Sequence, residues 1–424
     1  MNPISKDNIR SFLNEGTFGL ELESHRITRD AHLSHTPHPF PDDPHIVRDF
    51  SEDQLEIKTS PEGSPEAVRK QLAFHLSRVR KKLAEMETPE LLWPFSNPPY
   101  IMNEEDIHIA QWYGRERAST TYREYLADRY GRYKMTYCGI HFNYSFGEAT
   151  LRKLAEEAGA EYPLYRNRFY LELAEKVAAY GWLLVVLMAA SPVIDRSLIE
   201  RGKTGRSAFQ GLASPRCSEF GYWNHFTPIL DYRSIPDYVA IIQQYVESRL
   251  LKAARELYYP VRIKPFGKYT LEGLLEQGIS HIELRMVDLN PLDPVGIDVD
   301  DIRFIELFLL WLAQLQTGHM RTDQQIQTVQ NFKNAAHYDQ DLARITLLSG
   351  RSESVREASG TILNWIHEFY EETAPEQLPV IRKQIWKISC EEHRYASIVL
   401  KQYGDGFVKK GLELALQRQE EQNV

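Results

Sequence analysis

The sequence predicts an α+β fold, and three observations carry that expectation. Four short segments between Gly19 and Asp288 alternate apolar and polar residues at the period of a strand, apolar residues recur at helical spacing between them, and beyond Asp300 the pattern is helical. The 424 residues, 42% hydrophobic and 26% charged, suffice for a large core. No internal repeat, low-complexity block or linker interrupts the chain, so one domain is expected over 1–424, with a sheet core at about 17–300 and a helical portion at about 301–416.

The N-terminal stretch Met1–Gly16 reads as a short amphipathic helix carrying Ile9, Phe12 and Leu13 and lacks the features of a secretory signal. Gly19-Leu20-Glu21-Leu22-Glu23 follows as the first strand. Its leucines face a core, while Glu21 and Glu23 share the other face. Two ionised carboxylates at strand spacing, roughly 6–7 Å, repel by about 2.5 kcal/mol at an effective dielectric near 20, a cost that a cation would remove. Ala31–His45 sets His32, His35, His38 and His45 among prolines that favour an extended loop over a ligand cage. In Gln54-Leu55-Glu56-Ile57-Lys58 the alternation returns with Glu56 opposite Leu55 and Ile57, and Asp49 is expected where that strand begins.

Ser64-Pro65-Glu66 has the residues of a helix start, and Val68, Leu72, Leu76, Val79 and Leu83 share one face of the helix that follows. Its basic residues, among them Arg69, Arg78 and Arg80, read as a solvated face. Tyr137–Ser145 is the third alternating segment, with His141, Asn143 and Ser145 on one side. Leu151–Ala190 is helical, and its most apolar run, Trp182–Ala190, is half the length of a membrane span. Gly202-Lys203-Thr204 is no phosphate-binding loop, because Ser197 stands where that motif needs glycine. A helix follows at Ile235–Leu251, and the fourth strand, Ser280–Asp288, places Glu283 and Arg285 opposite Ile282, Leu284 and Met286. Ile302–Leu315 is apolar nearly all round, as a central helix would be, and Gln417–Val424 reads as a frayed tail.

A net charge of -9 offers nothing to nucleic acid or an anionic membrane, so small-molecule substrates are the expectation, and the lack of a secretory signal in Met1–Gly16 makes the cytoplasm the expected location. Oligomeric state is left open, a monomer included. Cys138, Cys217 and Cys390 match neither a disulfide framework nor a zinc site and read as reduced thiols. Glu21, Glu23, Asp49, Glu56 and Glu283 with His141 give five carboxylates and an imidazole whose burial together would require cations. Hard oxygen donors suit Mg²⁺, and the histidine favours tolerance of Mn²⁺. Several such ions opposite arginines suit phosphoryl transfer from ATP.

The motifs Gly19-Leu20-Glu21-x-Glu23-x-x-Arg26, Asp49-Phe50 with Leu55-Glu56, Trp93-Pro94, Tyr122-Arg123-Glu124, Gly139-x-His141-x-Asn143-x-Ser145, Arg216 with Gly221-Tyr222, Glu256-Leu257-Tyr258-x-Pro260-x-Arg262 and Ile282-Glu283-x-Arg285 occur in that order. Together they resemble the bacterial glutamate-cysteine ligases over roughly Gly19–Leu315. The resemblance implies a fold akin to glutamine synthetase and the guanidino kinases, a curved antiparallel sheet forming a funnel with helices outside. It implies that ATP phosphorylates the γ-carboxylate of L-glutamate and that the amine of L-cysteine displaces the phosphate, the first step of glutathione synthesis. By the same resemblance Glu21, Glu23, Asp49, Glu56, His141 and Glu283 hold metal ions. Tyr122, Arg216, Tyr222 and Tyr258 line the acceptor pocket, Arg285 stabilises charge on the reacting groups, and Arg123 and Arg262 reach nucleotide phosphates. Removing the Glu283 charge is expected to relieve repulsion and leave stability nearly unchanged. The loop before Arg216 looks abbreviated, and Leu22 stands where the family has a basic residue, so a related ligase with another amine acceptor is the alternative. No second ATP-dependent domain is expected after Leu416.

Overall fold

The computed structural model describes residues 4–201 and 206–421, the Lys6 side chain excepted. Gly202-Lys203-Thr204 therefore lies outside the described residues, as do both extreme ends of the chain. The strands are β1 (Thr17–Ile27), β2 (Ile46–Arg48), β3 (Gln54–Lys58), β4 (Leu91–Leu92), β5 (Ile140–Ser145), β6 (Val193–Asp195), β7 (Ser207–Phe209), β8 (Val261–Pro265), β9 (Ile279–Val287), β10 (Arg344–Thr346) and β11 (Ser352–Ser354). Seven of them form one sheet in the order β2-β3-β1-β5-β9-β8, with β4 beside the end of β1, and every pairing is antiparallel. The four strands expected from alternation are thus consecutive neighbours, β3-β1-β5-β9.

One face of this sheet is apolar and drives the fold. Phe18, Leu20, Leu22, Ile57, Ile140, Phe142, Ile282 and Leu284 are buried in the same cluster as Val68, Leu72, Val177, Ile305 and Phe308. The latter come from the helices Pro65–Ala84, Tyr162–Tyr180 and Val299–Gln314. Ser64 caps the first of these by accepting from the Ala67 amide at 3.1 Å, and Pro65 occupies its first turn, where a missing N–H costs nothing. The helix Val299–Gln314 is buried nearly all round, as its composition requires. No helix among the described residues is long and apolar enough to cross a membrane.

Three local expectations are corrected. Asp49 does not begin the Gln54–Lys58 strand; it follows β2, a short strand that alternation over three residues could not reveal, and its amide donates to the Gln54 carbonyl to close the turn into β3. The basic face of Pro65–Ala84 is not simply solvated, since Arg69 pairs with Asp293 at 2.9 Å, Arg78 pairs with Asp43 at 2.5 Å, and buried Arg80 donates to the Pro294 carbonyl at 3.1 Å. Residues 417–420 do not fray, because the helix Phe407–Glu420 continues through them and Arg418 donates to the carbonyls of Pro291 and Asp293.

Beyond Glu23, every residue of β1 is buried, the charged Arg26 among them. Its guanidinium, 0% exposed, meets the Glu90 carboxylate at 2.7 Å and also donates to the Thr36 hydroxyl and to the carbonyls of Thr36 and Glu52. One side chain thereby fastens the proline-rich loop and the turn after Asp49 to the central strand. Arg26→Met leaves Glu90 as an uncompensated buried anion, so urea unfolding should show a loss of about 3–5 kcal/mol, and Arg26→Met with Glu90→Leu should recover part of it. An unchanged midpoint in the single variant would refute this anchoring role.

Candidate active site

The polar face of the sheet assembles the site by register alone. Glu21 lies directly across from His141 on β5 and Lys58 on β3, Glu23 across from Glu56, and Glu283 across from Asn143 on one side and Arg262 on the other. Side chains directly opposite on neighbouring strands stand within reach of each other. His141 Nδ1 is 3.2 Å from Glu21 Oε2 and 3.7 Å from Glu283 Oε1, and its Nε2 is 3.4 Å from Glu23 Oε1. Asn143 donates to the other Glu21 oxygen at 3.1 Å, and Glu23 accepts from the Gly139 amide at 2.9 Å. One ligand atom from each of Glu21, Glu56 and His141 lies within 4.8 Å of the others.

A bulge sets the next part of the site. Ile140 pairs with Val287 and Phe142 with Leu284, so His141 faces two residues of β9, Arg285 and Met286. Both line the same cavity, as a bulge that re-aims its side chains allows. Arg285 forms a charge-assisted hydrogen bond to Glu283 Oε1, and Lys264 reaches Glu283 Oε2 at 2.7 Å, with Arg262 4.0 Å from Oε1. Glu283 therefore joins an acidic half of the face, on β1, β3 and β5, to a basic half on β8 and β9.

The electrostatics of the two halves differ accordingly. Burial opposes ionisation of Glu283, but Arg285, Arg262 and Lys264 outweigh it and hold the carboxyl well below its usual range. Glu21 is likewise opposed by burial yet drawn down to about 2, chiefly by its hydrogen bond with His141. Glu23 is pushed up to about 8 by burial and by Asp49, against the pull of Arg216 and Arg285. Burial and the Glu21 charge push Glu56 up to about 7, although Lys58 stands 3.2 Å away. Burial and the Arg285 charge lower His141, which favours the neutral ring a metal ligand needs. Oxygen donors with one imidazole, two of the carboxyls costly to ionise without a cation, fit hard divalent ions. Glu283 itself meets three cations, so removing its charge would leave Arg285, Lys264 and Arg262 facing one another, where the sequence led us to expect relief of repulsion among acids.

Beside the acids lies a cavity of about 220 Å³ walled by Tyr122, Arg216, Tyr222, Tyr258 and Arg285, with Glu23 and Asp49 at its edge. Tyr122 and Arg123 come from the helix Arg117–Tyr130. Arg216 is buried and donates to the Arg285 carbonyl at 2.8 Å. Two glycines make room for it: a Cβ on Gly139 would stand 2.1 Å from the Arg216 guanidinium carbon, and one on Gly221 would stand 1.6 Å from the Arg216 carbonyl oxygen. The Tyr222 hydroxyl donates to the Tyr137 carbonyl at 2.6 Å, fixing its ring against the cavity. Arg123 lies in this same wall, donating to the Asp49 and Ser119 carbonyls with its guanidinium 4.0 Å over the Trp112 ring. Arg262 is instead in the basic half, so the two arginines expected at phosphates stand in different parts of the site.

Lys264, Lys58 and Arg255 were missed by sequence reading. Val261-Arg262-Ile263-Lys264 does alternate, and reading it as a strand would have placed Lys264 on the Glu283 face. Arg255 carried no signal beyond its position next to Glu256-Leu257-Tyr258, yet it lines the cavity.

Comparison with known proteins gives one consistent answer. A profile of the glutamate-cysteine ligase family matches residues 1–250 and 243–335. The glutathione biosynthesis bifunctional protein of Listeria monocytogenes is 38% identical over 320 residues, which cover 72% of this chain and 41% of that protein. Among solved structures, a glutamate–cysteine ligase of Francisella tularensis in complex with AMP superposes with a TM-score of 0.86 at 21% identity, covering 96% of this chain and 89% of that one. A bifunctional glutathione synthetase from Pasteurella multocida superposes with a TM-score of 0.83 at 25% identity, covering 98% of this chain and 54% of that one. The chain thus spans about half the length of the bifunctional relatives.

Because protons compete with a cation at Glu23 and Glu56, Mg²⁺ or Mn²⁺ affinity should rise from about pH 6 to about pH 8 and then level. Calorimetric titration at pH 7 in buffers of different ionisation heat should show net proton release; binding without release would contradict the site.

Proposed function

The chain belongs to the glutamate-cysteine ligase family, and we propose that it joins the γ-carboxylate of L-glutamate to the amine of L-cysteine with conversion of ATP to ADP and phosphate, the first step of glutathione synthesis. The observation that carries this reading is the division of one sheet face at Glu283 into acidic and basic halves, with a tyrosine-walled cavity alongside. A carboxylate is a poor electrophile, so it must first be made an acyl phosphate, and that requires two anions to meet.

Glu21, Glu23, Asp49, Glu56, His141 and Glu283 are the residues we assign to Mg²⁺, with Mn²⁺ tolerated. Bound there, divalent ions would neutralise the triphosphate and make its γ-phosphoryl group a better acceptor. Arg285, held by Glu283 and aimed into the cavity, offsets charge as the γ-carboxylate approaches. Lys264 and Arg262 extend the positive region along β8 toward the remaining phosphates. Arg216, Tyr222, Tyr258 and Tyr122 enclose the acceptor, and their rings exclude the water that would hydrolyse an acyl phosphate.

ADP release should require glutamate and cysteine together, with γ-glutamylcysteine as product. Arg285→Met should lower kcat by roughly 100- to 1000-fold while changing the ATP KM much less, as loss of a group acting on developing charge does. No ADP release with both amino acids would defeat the proposal, and faster turnover with another amine would displace cysteine as acceptor.

A further inference from the structure

Four arginines wall the cavity, and three are committed. Arg123 donates to the Asp49 and Ser119 carbonyls, Arg216 to the Arg285 carbonyl, and Arg285 to Glu283. The fourth, Arg255, is exposed at the rim with its guanidinium 3.6 Å over the ring of Tyr122. Among the described residues, no carboxylate or carbonyl pairs with that guanidinium; its backbone carbonyl, by contrast, accepts from Arg262.

The backbone beneath Arg255 is fixed. The buried Glu256 side chain takes the Tyr130 hydroxyl at 2.8 Å, the Lys252 amide at 2.5 Å and the Arg129 guanidinium at 3.2 Å. Asn224 clamps the same segment by donating to the Glu256 carbonyl at 2.8 Å and accepting from the Tyr258 amide at 2.9 Å. Stacking on Tyr122 fixes the plane of the guanidinium and leaves its N–H edge free for a planar anion.

We infer that Arg255 is a specificity-determining residue that receives the α-carboxylate of the acceptor amino acid at the rim of the cavity. This rests on the ligase reading and extends it to how the acceptor is chosen. Glu23 and Asp49, on the acidic side of the cavity, give a second carboxylate no partner, and the buried Arg216 is already engaged with the Arg285 backbone carbonyl. A carboxylate at the rim and an amine pointing inward satisfy both constraints. Amines without a carboxylate gain nothing from Arg255.

The test compares cysteine with cysteamine, which keeps the amine and thiol and lacks the carboxylate, in the wild-type protein and its Arg255→Met variant. The inference predicts that kcat/KM for cysteine falls about 10- to 100-fold through KM, the range of a lost charge-assisted hydrogen bond, with kcat and the glutamate KM within about twofold. The values for cysteamine stay near those of the wild type, and Arg255→Lys restores part of the loss. Equal losses for both amines, or no loss for cysteine, would overturn the inference. An unaffected variant beside an active wild type overturns it alone, whereas a wild type inactive with cysteine overturns the ligase reading as well.

Discussion

The Glu283 carboxylate is the interaction on which the rest of the site depends. It is 1% exposed, and a buried anion survives only if cations meet it with good geometry. Here Arg285 and Lys264 take its two oxygens and His141 stands beside them. That arrangement does more than neutralise one charge. It positions Arg285 toward the cavity and marks where the face changes from acidic to basic, the boundary at which the proposed reaction would bring a polyanion and a carboxylate together.

Sheet topology supplies the precision. Four acids and a histidine from β1, β3, β5 and β9 converge because those strands are neighbours and their side chains alternate in phase. The bulge opposite His141 then turns two consecutive residues of β9, Arg285 and Met286, into the cavity. Loops complete the wall, and each is tied to something rigid: the turn after Asp49 through Arg26 to β1, the Tyr258 segment through Asn224 and Glu256, and the Arg216 turn through close approach at Gly139 and Gly221. The acids on the opposite side of His141 are left with a cost of ionisation that a proton or a cation removes.

Much of this was legible in the sequence, and the reason is periodicity. In each of the four segments where apolar and polar residues alternated, a strand formed, and its polar residues fell on the shared face. What escaped was set by partners distant in sequence. β2 has three residues, too few to show a period, so Asp49 was placed at the wrong strand. Lys264 sits on the edge strand β8, a segment that had not been read as a strand. Arg69 and Arg80 looked solvated because the carboxylate and carbonyl that hold them, at Asp293 and Pro294, are over 200 residues away. Arg255 and the stabilising role of Glu283 are consequences of three-dimensional charge balance, which no local pattern encodes.

The central claim is that the acidic half of the face holds divalent ions next to Glu283. Anomalous diffraction at the manganese edge from crystals grown with Mn²⁺ and a non-hydrolysable ATP analogue tests it most directly. The account predicts manganese peaks within bonding distance of Glu21, Glu56 and His141, on the acidic side of Glu283. Crystals whose manganese lies only elsewhere, with those three side chains bare, would contradict it.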